Sequence, residues 1–320
     1  MAGVSDVFDA VVVGGGPAGL SAALALGRAT RRVLLAADGP GRNARASAAH
    51  NVFTRDGTPP GELVRIGLDQ LRPYDVTVRR ERVSRAAAGP DGFTLTLGDE
   101  AVVRARGLVL AFGVRDILPA TPGFEELWGR GVFHCPYCHG WEVAHRPLAL
   151  YGRGEAALHL AQLVRGWSRD LVLFTDGPAE LPDDELARIR ASGIVVREER
   201  VERLIGADGL EAVVLEGNEA LPRDALFLIP KQELRSDLPL QLGCGLADDG
   251  RVEADALGRT AVPKVFVAGD AGPNPQSVAV AAASGTVAGA ALNNDLLVEE
   301  FQQAALADSA ASPDRAAVSR

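Results

Sequence analysis

At 320 residues the chain exceeds one ordinary hydrophobic core and fits two domains of common size. Hydrophobic residues make up 47% and charged residues 23%, which excludes a disordered chain, and a formal net charge of -9 excludes a general nucleic-acid binder, which needs a basic face. Three cysteines are too few for a disulfide scaffold, so a cysteine pair has to be explained as redox chemistry or metal binding.

Residues 1–10 carry Asp6 and Asp9 without a basic stretch or a cleavage site, and no apolar run reaches bilayer length. The expectation is a cytoplasmic protein with no membrane partner. The run from Asp9 to Val13 is of strand type and leads into Gly14-Gly15-Gly16-Pro17-Ala18-Gly19, after which Leu20 to Gly27 reads as a helix. This is G-x-G-x-x-G in the strand–turn–helix setting that binds dinucleotides. Gly14 permits the tight turn, Gly16 lets a pyrophosphate approach the backbone, and Gly19 lets the helix pack close on the strand. A second strand follows from Arg32 to Ala36. Ala37 stands where an acid should grip the ribose, with Asp38 one residue further on.

The densest chemistry lies at Phe133-His134-Cys135-Pro136-Tyr137-Cys138-His139-Gly140-Trp141. A C-x-x-C pair whose first cysteine opens a helix has its thiolate favoured by the helix dipole, and flanking histidines can move protons near neutral pH. Four readings compete. A zinc half-site lacks further cysteine ligands, because Cys244 is solitary, and no metal is expected. Haem attachment through C-x-x-C-H demands export. An inert structural pair is a third reading, and a redox-active dithiol beside a dinucleotide is the preferred one. Cys244 itself reads as a small buried residue.

Leu148 to Tyr151 form another strand, followed by Gly152-Arg153-Gly154-Glu155-Ala156-Ala157, a helix from His159 to Trp167 and a strand from Leu171 to Phe174. This is a second, weaker fingerprint, G-x-G-x-x-A, ending in Thr175-Asp176-Gly177. Neither glycine cluster is followed by Gly-Lys-Ser/Thr, so a P-loop fails. Near the C-terminus, the strand through Val265 and Val267 ends in Gly269-Asp270, ahead of Gln276 and a helix of small residues from Ser277 to Leu292. An acid at that strand end suits the hydroxyls of a flavin's ribityl chain. The fold class expected is α/β, with two Rossmann-like, three-layer nucleotide-binding domains.

These motifs, in this order, resemble the low-molecular-weight thioredoxin reductases of the FAD-dependent pyridine nucleotide-disulfide oxidoreductase family, over roughly residues 8–305. The resemblance implies an FAD domain interrupted by an inserted NAD(P)-type domain that carries the dithiol. Chain punctuation at Pro119–Gly123 and Gly243–Gly250 agrees, giving 1–117 with 247–305 for FAD, 118–246 for the insert, and a loose tail at 306–320. It implies FAD contacts at Gly14, Gly16, Pro17, Ala18, Gly19, Asp38, Asn43, Gly113, Gly269, Asp270, Gln276 and Ser277. Gly152, Gly154 and Asp176 would meet the nicotinamide nucleotide, NADPH or NADH. Cys138 would face the flavin, Cys135 would exchange with substrate, and His139 and His134 would move protons. A homodimer is implied, with a thioredoxin-like protein or a small disulfide or dithiol as substrate.

Three departures qualify that picture. His139 replaces the acid that usually follows the second cysteine. Asp176 occupies a place where arginines should hold the 2′-phosphate of NADPH, and losing two charge-assisted bonds at about 1.5–3 kcal/mol each cuts NADPH preference roughly a hundredfold or more. Cys-Pro-Tyr-Cys-His-Gly-Trp also resembles a subgroup containing dithiol oxidases, in which substrate reduces the cysteine pair and FAD passes electrons to oxygen. The leading expectation is a reductase running from NAD(P)H through FAD to a disulfide. The alternative is such an oxidase with a degenerate nicotinamide site.

Overall fold

A computed structural model describes residues 6–98 and 100–311. The chain opens with β1 (Asp6–Val13), α1 (Pro17–Arg28), β2 (Val33–Ala36), α2 (Pro60–Leu71), β3 (Val76–Arg79), β4 (Val83–Gly89), β5 (Gly92–Leu97) and β6 (Ala101–Leu110). There follow β7 (Val114–Ile117), α3 (Phe124–Leu127), β8 (Val132–Phe133), α4 (Pro136–His139), β9 (Leu148–Tyr151), α5 (Gly154–Val164), β10 (Leu171–Phe174), α6 (Asp183–Ala191) and β11 (Val195–Arg197). The remainder is β12 (Val201–Ile205), β13 (Ala212–Leu215), β14 (Ala220–Pro222), β15 (Ala225–Leu228), β16 (Lys231–Leu234), α7 (Leu238–Leu242), β17 (Val265–Val267) and α8 (Val278–Ala311).

Packing divides these elements into two compact units. The first takes the described residues up to Gly41, Leu63–Val114 and those from Leu234 onward; the second takes Arg42–Glu62 and Arg115–Glu233.

In the first unit β1 is central. It pairs in parallel with β2 on one side and β6 on the other, in the order β3-β2-β1-β6, while the upper half of β6 takes β17 and its lower half an antiparallel ribbon of β5 and β4. From Ala10 to Val13 side chains alternate along β1 as a two-residue period requires. Ala10 and Val12 enter the core under α1 and α8, whereas Phe8, Val11 and Val13 enter the one beneath the ribbon and α7. Three layers result. Val13 registers with both Ala36 and Leu110, so three strand ends finish level at Gly14, the topological switch point of the sheet.

The small residues of α8 have a specific purpose. A Cβ at Gly285 would stand 2.0 Å from the Ala18 carbonyl oxygen and one at Gly289 2.8 Å from that of Ala22. The close approach that the Ala/Gly-rich helix permits is therefore to α1. Helix α8 continues to Ala311, well past Leu292 and into the stretch expected as a loose tail, with residues 301–307 exposed; residues 312–320 lie outside the described residues.

The second unit repeats the plan with a sheet ordered β11-β10-β9-β15-β8, parallel throughout. Leu160, Val164 and Ile189 of α5 and α6 cover one face. Phe124, Leu204 and Val213 of α3 and the β12–β14 meander cover the other. Phe174, Tyr151 and Leu228 register across the strand ends, so Gly152 opens here as Gly14 does in the first unit. Helix α5 starts at Gly154, five residues before the apolar pattern announces it, because its first turn is part of the glycine loop.

Candidate functional site

The first glycine turn is stitched to its sheet by Gly14 N–H donating to Ala36 O and Ala111 N–H to Val13 O, both at 2.8 Å. Gly14 has φ +118°, and a Cβ there would lie 2.3 Å from Ala111 O. A Cβ on Gly19 would lie 1.8 Å from Gly14 O, whereas one on Gly16 would meet nothing within 4 Å. Two of the glycines thus serve the fold and Gly16 faces open space. Gly16 is the N-cap of α1, Pro17 occupies the first turn, and no side chain caps it. An uncapped start of a twelve-residue helix, in a cradle that side chains would fill, fits the pyrophosphate of FAD.

The other residues implied for the flavin divide between the units. Ala18 is buried against Gly269, and Gly269 N–H donates to Ser284 Oγ at 2.9 Å. Asp270 follows in a one-turn 3-10 helix, Gln276 is half-buried, and Ser277 caps α8 by accepting Val280 N–H at 3.1 Å. Gly113 has φ +70° with open space at its Cβ position. Asp38 is exposed two residues beyond β2. All of these belong to the first unit, but Asn43 lies in Arg42–Glu62, which packs with the second.

In the second unit Cys135 and Cys138 form a disulfide with Cα atoms 5.3 Å apart. Cys135 is the N-cap of α4, Pro136 opens the helix, and Cys135 Sγ accepts the Cys138 N–H at 3.1 Å. The His139 ring stacks on Phe133, with centroids 4.4 Å apart and planes at 21°. Burial pushes the His139 pKa down, against the pull of Glu142. Burial, then the Arg42 guanidinium, hold His134 down at about 4, opposed by Asp116. Arg42 grips Asp116 with two bonds, Nε to Oδ2 at 2.7 Å and a terminal nitrogen to Oδ1 at 2.6 Å, and Gln232 adds a third at 3.2 Å. Both histidines beside the dithiol are thus favoured as neutral bases. Exposed aromatics, Tyr137 and Trp141, flank the pair, and Tyr137 meets Trp167 edge to face.

The second glycine turn differs from the first. Gly154 N–H, at the start of α5, donates to Ala179 O at 2.9 Å. Arg153 donates through Nε to Thr175 O at 2.6 Å, and its guanidinium lies 3.4 Å from Glu180 and 3.8 Å from Asp176. The Asp176 carboxylate accepts Val201 N–H at 2.8 Å and the Tyr151 hydroxyl at 3.2 Å. Burial, reinforced by Asp176, pushes the Tyr151 pKa up to about 12. Asp176, read from sequence as an acceptor for a ribose, is engaged by its own unit, and Arg153 is tied down by its neighbours.

Residues absent from the sequence reading join the dithiol. Arg42, Asp116, His50 and Asn51 carry no motif and are brought there by chain folding, whereas Glu142 follows directly on the dithiol motif. Among the described residues no cluster of His, Cys, Asp and Glu could hold a metal, and no helix is long and apolar enough to cross a membrane.

Two doubly wound nucleotide folds and a cysteine pair define the class: a flavin-dependent thiol–disulfide oxidoreductase. The chain belongs to the pyridine nucleotide-disulphide oxidoreductase family, whose model matches residues 8–285. It is 33% identical over 313 residues to the thioredoxin reductase sirT of Leptosphaeria maculans, covering 92% of this chain and 95% of that one. Among solved structures, that of HlmI matches with a TM-score of 0.90 at 36% identity, over 97% of this chain and 99% of the other. An oxidoreductase from Agrobacterium tumefaciens matches with a TM-score of 0.86 at 34% identity, over 91% and 99% respectively. The family implies FAD and a pyridine nucleotide.

Proposed function

We propose that this enzyme is a disulfide reductase of the thioredoxin reductase type, in which electrons pass from NAD(P)H through FAD and Cys135–Cys138 to a protein or small-molecule disulfide. The observation that carries the reading is the Cys135–Cys138 disulfide at the start of α4, with Cys135 Sγ accepting an amide hydrogen. Such a bond favours the thiolate. The first unit is the FAD domain, with Gly14, Gly16 and Gly19 at the pyrophosphate and Asp270, Gln276 and Ser277 along the rest of the cofactor. Gly152 and Gly154 belong to the nicotinamide nucleotide. Bound FAD supplies two-electron exchange with the dithiol.

The chain's residues account for the sulfur chemistry. The Cys135 thiolate attacks one sulfur of the substrate disulfide, forming a mixed disulfide and releasing the first substrate thiolate. Cys138 then attacks Cys135 Sγ, closing Cys135–Cys138 and releasing the second. The two protons carried by the dithiol pass to those leaving sulfurs, with neutral His139 and His134 as the groups that hold them in transit. The name of the relative sirT supports a thioredoxin-like substrate, and a small disulfide meets the same sulfur chemistry. A cytoplasmic homodimer is the expected form.

A second reading is a dithiol oxidase that passes electrons from substrate to oxygen; what motivates it is that Gly154 N–H is bonded to Ala179 O and that Arg153 of the same turn lies beside Asp176 and Glu180. Anaerobic titration of the holoenzyme separates the two. Rapid bleaching of the flavin by NADPH or NADH supports the reductase, and bleaching by a dithiol alone overturns it in favour of the oxidase. Cys135→Ser abolishes exchange with substrate while leaving nucleotide-driven bleaching intact; exchange that survives refutes the role given to Cys135.

A further inference from the structure

The turn that continues α4 faces a loop remote in sequence. Ala49 N–H donates to Thr58 O at 2.9 Å and Gly57 N–H to Ala49 O at 3.0 Å, closing the loop between them. Inside it, Asp56 accepts Asn51 N–H at 2.6 Å, and the Asn51 side chain donates to Tyr137 O of α4, also at 2.6 Å. This fastens the loop to the dithiol helix. His50, the neighbouring residue, places Nε2 3.3 Å from Glu142 Oε1 and Nδ1 3.5 Å from Asp56 Oδ2. A histidine between two carboxylates can donate from both ring nitrogens when protonated. Glu142 follows His139 by three residues on the turn leaving α4, where Gly140 N–H donates to Pro136 O at 2.7 Å and Ala144 N–H to Trp141 O at 3.2 Å. Gly140, which caps α4, keeps right-handed dihedrals (φ −71°, ψ −29°), so the chain continues as a turn from His139 to Glu142.

We propose that Glu142, anchored by His50, is a positioning residue that sets the charge of His139 and thereby the proton supply to Cys135–Cys138. The inference rests on the reading of His139 as the proton carrier of the dithiol. Its geometry is independent of that reading: a ring fixed on Phe133, a carboxylate three residues on, and a second imidazole bridging the carboxylate to a closed loop. The electrostatics agree in direction. Burial depresses the His139 pKa, Glu142 raises it and His50 lowers it. The charged and titratable groups around His139 are Glu142, His50 and His134; behind them stand Asp56 on His50, and Arg42 and Asp116 on His134. Glu142 is the acid of this set nearest in sequence to His139. Its side chain is 42% exposed, so solvent screens its effect.

The test is the histidine titration of the oxidised holoenzyme by NMR, with the His139 resonance assigned through His139→Gln. Glu142→Gln lowers the His139 midpoint by about half a pH unit, the size of a screened ion pair, and Glu142→Asp restores most of it. In a His50→Gln background the same Glu142→Gln step moves His139 less, because the carboxylate has lost its anchor. The acid limb of the pH profile for disulfide exchange shifts with the resonance, and in a His139→Gln background Glu142→Gln leaves the profile unchanged. An unmoved His139 resonance, or a profile that Glu142→Gln still shifts without His139, overturns the inference. Exchange that persists in Cys135→Ser instead strikes the reading of the dithiol and leaves the His139 titration as a separate result.

Discussion

Replacing Arg42 by methionine leaves a buried carboxylate beside His134 without its cation. The Asp116 side chain is 5% exposed and receives two bonds from Arg42, at 2.7 and 2.6 Å. Removing one partner of a buried pair costs about 3–5 kcal/mol, because the remaining charge stays out of water. The same cation helps hold His134 down from 6.5 to about 4, against the pull of Asp116. In the wild type, therefore, the unfolded chain binds a proton at this histidine between about pH 6.5 and 4 while the folded chain does not. Stability falls as pH drops through that window, by about 3 kcal/mol in all. Without Arg42 the imidazole takes a proton at higher pH and pairs with Asp116, so acid costs the variant less. Urea denaturation followed by tryptophan fluorescence reads this directly, since Trp128, Trp141 and Trp167 all belong to the second unit. Arg42→Met should be markedly less stable at pH 7.5, with the two curves converging towards pH 5. Equal stability at pH 7.5, or curves that fall in parallel, refutes the reasoning.

Three further outcomes follow from the packing and the bonds. Gly285→Ala puts a Cβ 2.0 Å from Ala18 O, so it should destabilise the first unit by about 1–3 kcal/mol and weaken FAD retention, seen as flavin release on mild heating. Cys244 is buried and burial raises its thiol pKa, so the reduced native enzyme should react with a thiol reagent at two sites quickly and at the third only on unfolding. Asp176→Asn removes the negative charge that supports the high Tyr151 pKa, so the phenol should titrate below about 12 by ultraviolet absorbance; an unchanged titration places the whole shift in burial.

The glycine turns were legible because each is dictated locally. A strand, a turn that needs φ beyond +100° at Gly14, and a helix that must touch the backbone behind it leave a short pattern in which each glycine has a steric reason. The dithiol was legible for a similar reason, since three residues of separation suffice to close Cys135 on Cys138. Sequence also separated Cys244 from that pair. It could not show that α8 would run to Ala311, because residues 301–307 are exposed and neither a buried stripe nor a terminal signal marks that stretch.

By itself the sequence determined the class of chemistry: two dinucleotide folds, one redox pair, no basic face and no cysteine scaffold. Tertiary structure alone decided what surrounds the sulfurs and whether the second turn is open. Arg42 and Asp116 are 74 residues apart in the chain and His50 lies far from Glu142, and ion pairs between exposed-looking residues carry no periodic signal. The donation from Gly154 to Ala179 likewise depends on how a loop after β10 folds back. Local sterics are written in neighbouring residues, but burial and charge pairing, which set the pKa of His134 and His139, exist only once distant segments have met.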